Sequence, residues 1–110
     1  MSLPRLSYLL LALSGAMATW YFNLQFIHAS GGSFDLMAFI AAGSANAAAA
    51  SLSWDLAIAC LAGLLWMTLE AKRLGIRHIW LFFLLTFGVA FAFAFPLFLF
   101  VRQGKLEEQA

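Results

Sequence analysis

The chain has 110 residues, 65% of them hydrophobic and 10% charged, against roughly 25% charged in an ordinary soluble domain, and this leaves no material for a separate water-soluble domain. A net charge of +1, with the six basic residues split among three stretches, excludes a nucleic-acid-binding patch. The one cysteine, Cys60, has no partner within the chain, so no internal disulfide holds the fold.

The first apolar stretch runs from Leu6 to Ile27. Arg5, the apolar run Tyr8 to Leu13 and the triplet Ala16-Met17-Ala18 imitate a signal peptide with its cleavage site. The run continues, however, through Trp20, Tyr21, Phe22, Phe26 and Ile27, which is the length and aromatic finish of a membrane-spanning helix. Gly31-Gly32 ends that helix. Ser33 is the expected N-cap of the next, with Asp35 in its first turn, and residues 34–43 read as a short helix lying in the outer interface. The alternative, a re-entrant segment, requires protein to cover its backbone ends.

The second span is expected over 52–69. The alanine run Ala47 to Ala50 has the propensity to start it earlier, and Ser53 caps it otherwise. The third, Ile79 to Val101, is 23 residues without a charge, eight of them Phe, between Arg77 and Arg102. As one helix it would be about 35 Å long, enough to cross a hydrocarbon layer of about 30 Å. Phe83, Phe87, Phe91, Phe95 and Phe98 form a stripe on it, and Pro96 predicts a kink near its outer end by crowding the Ala92 carbonyl. The tail, 103–110, is short and polar.

The resulting expectation is an all-α integral membrane protein: one domain, 1–110, of three transmembrane helices with a short interfacial helix between the first and second. Arg5, Lys72, Arg73 and Arg77 fall on one side and Arg102 and Lys105 on the other, which puts the amino terminus in the cytoplasm and the carboxy terminus outside. Gly15 with Thr19, Ala59 with Gly63 and Gly88 with Ala92 have the small-xxx-small spacing that lets helix backbones approach.

Few residues can carry chemistry. Asp55 and Glu70 share one face of the second helix with Ala59, Gly63 and Trp66, yet 15 residues separate them, about 22 Å of helix, so they are not one catalytic pair. Glu70 and Arg73 have the spacing of an interfacial ion pair. Asp55 reads as a first-turn carboxylate complementing the helix dipole, or as a site residue slightly below the interface. In the second case Asn23, Asp55 and Arg102, with Trp20, Trp54 and Phe95 around them, form an outward-facing polar pocket; the plainer reading is a belt of aromatic anchors. His28 and His78 lie at opposite membrane faces and cannot share a metal, although each could give one axial bond to a haem or chlorophyll. No phosphate-binding glycine loop, nucleophile elbow or HExxH motif is present in the sequence.

The motifs Trp20-Tyr21-Phe22-Asn23, Ser53-Trp54-Asp55-Leu56, Trp66 through Arg77 and Phe91 through Leu99 resemble, in order and over about Tyr8 to Arg102, the bacterial domain-of-unknown-function family 2834. The resemblance implies three helices in a bacterial inner membrane and supplies no activity. The expected function is therefore that of a non-enzymatic accessory subunit packing in the bilayer against a larger complex, or of a self-associating bundle. The alternative is binding, transport or chemistry of a prenyl, quinone or carotenoid type of ligand at the Asp55 pocket. No cofactor is specified by the sequence, and a proton pathway is disfavoured because no ionisable chain links Asp55 to Glu70.

Overall fold

The structure, a computed structural model, describes residues 1–109. Five helices make up the described chain: α1 (Leu3–Ala29), α2 (Leu36–Ala42), α3 (Ala47–Leu74), α4 (Ile79–Gly88) and α5 (Phe91–Gln109). The all-α class agrees with the sequence reading. Among the described residues α3 alone combines the length and apolar composition needed to cross a membrane.

α1 opens on Ser2, whose hydroxyl accepts from the Arg5 amide, and closes at Gly31 and Gly32, both at positive φ. The short helix forms at the predicted place, but its N-cap is Asp35, which accepts from the Ala38 amide, and not Ser33. α3 starts at Ala47 under an Asn46 cap, because the alanine run carries the helix back past Ser53. Asp55 is consequently well inside α3, two turns beyond the open amides, and the first-turn dipole role expected for it does not arise. Gly75 ends α3 in the left-handed conformation.

The main departure lies in the third apolar run, which is two helices and not one. In a continuous helix Phe82 and Phe98 would be about 24 Å apart; their ring centroids are 5.3 Å apart. The chain therefore reverses at Val89 and Ala90, and α4 and α5 form an antiparallel hairpin. The amides of Val89 and Ala90 both donate to the Leu85 carbonyl, and those of Phe93 and Ala94 both donate to Ala90, so the carbonyl of Val89 drops out of the ladder. The reversal does not fall at Pro96, which lies inside α5, six residues beyond it.

Contacts along α5 give its direction. Its Ala92, Phe100 and Gly104 meet Gly15, Arg5 and Arg5 of α1, an antiparallel pairing. Its Phe91, Phe95 and Arg102 meet Gly63, Trp66 and Glu70 of α3, a parallel one. Both ends of the chain therefore lie at one end of the molecule, which corrects the expectation that they lie at opposite ends. The buried core, including Leu64, Met67, Ala71, Leu74, Phe82 and Phe98, sits at that same end, where α3 meets the hairpin.

Candidate functional site: a cleft over the hairpin tip

Because α4 has only 10 residues, the hairpin stops about halfway along α1 and α3. Above its tip the two long helices stand apart and leave a cleft of about 730 Å³. Thr19, Trp20, Asn23 and Ile27 of α1 form one wall, and Ser53, Leu56, Ala57 and Cys60 of α3 the other. Residues 86–92 make the floor, and Phe34, Leu36 and Phe39 reach in from above. The roof is held by edge-on aromatic contacts of Phe26 with Phe34 and Phe39, at 6.0 and 5.3 Å, and by the Ser53 hydroxyl donating to the Gly43 carbonyl at 2.9 Å.

Most polar groups on the walls are engaged. The Trp20 indole N–H donates to the Val89 carbonyl at 2.9 Å, supplying the partner that the reversal removed. Thr19 and Thr86 donate to carbonyls one turn back in their own helices, each at 2.7 Å. The Asn23 side-chain amide makes no hydrogen bond among the described residues, and at the tip the carbonyls of Thr86, Phe87 and Gly88 and the amides of Phe91 and Ala92 have no backbone partner, so the cleft offers these polar groups on a largely apolar surface. Cys60, a free thiol, faces the same space. A cavity of this size falls within the range of about 300–1,000 Å³ of small-molecule sites, which are apolar with a few polar groups.

Of the residues expected to form the polar pocket, Trp20 and Asn23 line the cleft, whereas Asp55 and Trp54 lie on the exposed side of α3. Arg102 is at the other end of the molecule, because the reversal at Val89 carries α5 back. There its Nε donates to Glu70 Oε2 at 2.9 Å, while Arg73 donates to the other carboxylate oxygen. Glu70 is buried between the two guanidinium groups, and Arg102 also lies over the Trp66 ring. The expected cluster of Asn23, Asp55 and Arg102 is thus not assembled. Cys60, Thr86 and the tip backbone were not foreseen; adjacent Gly88 and Val89, both weak helix formers in mid-run, are the signal that marks the tip. No group of three or more His, Cys, Asp or Glu is placed to hold a metal among the described residues.

These features define a small all-α protein built on two long helices and a half-length helical hairpin, with an apolar cleft above the hairpin tip. The family described as Protein of unknown function DUF2834 matches residues 7–104, and the chain belongs to it. No curated protein and no solved structure matches the chain.

Proposed function

We propose that this protein is embedded in a membrane and holds an apolar chain, of prenyl, quinone, carotenoid or acyl type, in the cleft above the hairpin tip. The cleft itself carries the reading: it is ligand-sized and largely apolar, and the free side-chain amide of Asn23 with the unpartnered backbone of the tip suits a ligand with a hydrogen-bonding head. The membrane setting is supported by large apolar side chains exposed all around α1, α3 and α4, among them Leu11, Met17, Leu52, Leu61, Leu84 and Phe87. So broad an exposed surface far exceeds the patches that a soluble monomer carries. The pocket expected around Asp55 is accordingly replaced by one centred on Asn23 and residues 86–92.

Native mass spectrometry of the chain extracted gently from its own membranes tests this. The expected result is a discrete small-molecule adduct that is lost when Ala57→Trp fills the cleft. An adduct-free chain, or an adduct retained by Ala57→Trp, overturns the ligand reading. A second reading, an accessory subunit of a larger membrane complex in a bacterial inner membrane, is favoured by the bare outer face of α3 at Trp54, Ile58, Leu61 and Leu65. A stoichiometric polypeptide in the same spectrum would move the conclusion to it.

A further inference from the structure

The hairpin rearranges the charges of the whole molecule. Read along a straight third helix, the six basic residues divide four to two. In the folded chain Arg5, Lys72, Arg73, Arg77, Arg102 and Lys105 all gather at the end where Arg5 meets Gly104 and Arg102 meets Glu70, so the division becomes six to none. The opposite end carries Asp35 and Asp55 and no Lys or Arg. Resting on the reading that the chain is membrane-embedded, we propose that residues 79–109 form a re-entrant hairpin which enters and leaves the bilayer on the cytoplasmic face. Both chain ends and all six basic residues then sit in the anionic headgroup layer of that leaflet.

Three independent features carry this. The arms from Ile79 to Gly88 and from Phe91 to Arg102 have 10 and 12 residues, about 15 and 18 Å of helix, half of a hydrocarbon layer of about 30 Å. Each arm begins or ends beside an arginine, Arg77 or Arg102, at headgroup depth. Non-helical backbone at mid-membrane depth is tolerated only where protein covers it or it lines a water-filled cavity. The reversal meets that condition when the floor of the cleft is wet or meets the polar head of the ligand: Trp20 takes the Val89 carbonyl, and the remaining carbonyls and amides of the tip face the cleft. Finally, Lys and Arg concentrate on the cytoplasmic side of membrane proteins, where the surface potential is negative. Arg5 suits such a site: its guanidinium lies 4.4 Å over the Phe100 ring, pressed against Gly104, with Nε buried and no acidic partner among the described residues.

The test is cysteine mapping in intact bacterial cells, in a Cys60→Ser background, with a membrane-impermeant maleimide. Ser44→Cys, at the end opposite the basic residues, is expected to label in intact cells. Ser2→Cys and Gln109→Cys are expected to label only after the membrane is permeabilised. Labelling of Gln109→Cys together with Ser44→Cys in intact cells, with Ser2→Cys protected, overturns the hairpin and restores three spans. Labelling of Ser2→Cys and Gln109→Cys without Ser44→Cys overturns the orientation. Recovery of the chain in the soluble fraction overturns the membrane reading itself, a result distinguishable from either. As a second measurement, Arg102→Glu is expected to expose Gln109→Cys in part of the population, and Glu70→Arg added to it to restore protection; no change with either overturns the role of that pair as the pin of the hairpin.

Discussion

At single residues, helix contact depends on what a methyl group would meet. A Cβ on Gly15 would lie 2.1 Å from the Ala92 carbonyl oxygen, and one on Gly63 2.5 Å from the Phe91 ring. The first obstacle is backbone, so α1 and α5 must separate; the second is the far end of a side chain, which can turn. Gly15→Ala is therefore expected to destabilise by at least the roughly 1–3 kcal/mol of an overpacked core, and Gly63→Ala by less. At Gly88 nothing lies within 4 Å, and Gly88→Ala is expected to be neutral or to stabilise by about 0.5–1 kcal/mol through helix propensity. Thermal unfolding of the three variants in one detergent checks the order; equal midpoints would contradict it. The small-xxx-small spacings marked Gly15 and Gly63 as close-approach positions from sequence alone, but not their partners. Gly88 has the same spacing to Ala92 but an open surface, because the chain reverses between them and the two residues do not share a helix face.

At the level of elements, the reversal between α4 and α5 depends on a hydrogen bond made by another helix. The ladder loses the Val89 carbonyl at the turn, and only the Trp20 side chain 69 positions earlier supplies a donor. Trp20→Phe keeps an aromatic ring and removes the N–H, leaving the carbonyl of a covered turn without its partner, a loss of about 1–3 kcal/mol. Hydrogen exchange is expected to speed up over residues 89–95 and to stay unchanged in the lower half of α3; uniform acceleration would show that the tip is not a local unit. Local signals served well for ends of elements. Gly31-Gly32 and the alanine run were legible because breakers and propensities act over a few residues, whereas the end of the second helix at Gly75 lies beyond the expected span of 52–69. Pro96 does not mark the reversal for the complementary reason: proline disturbs a helix at its own position, but the chain turned where packing of Phe82 on Phe98 and the Trp20 bond favoured it.

Across the whole molecule, the carboxylate of Glu70 joins the long helix α3 to the returning helix α5. Arg73 belongs to the same helix as Glu70 and its side chain is 61% exposed, whereas Arg102 comes from 32 positions away and is 23% exposed. Arg73→Ala is expected to cost under about 1 kcal/mol, in the range of exposed pairs. Arg102→Ala should cost about 1.5–3 kcal/mol, as for a hydrogen bond between charged groups, and Glu70→Ala more than either because it strands Arg102. Unfolding by titrated denaturant in mixed micelles measures the order, and a larger loss for Arg73→Ala than for Arg102→Ala would contradict it. The sequence by itself determined the all-α class, the apolar character, the places of α1, α2 and α3 and the resemblance to the family, since composition, periodicity and capping are local properties. Only the tertiary structure decided that residues 79–101 fold back, that Arg102 meets Glu70 and not Asn23, and that a cleft opens above Val89. An uninterrupted apolar run is compatible with a straight or a reversed path, and the choice rests on contacts between residues far apart in the chain.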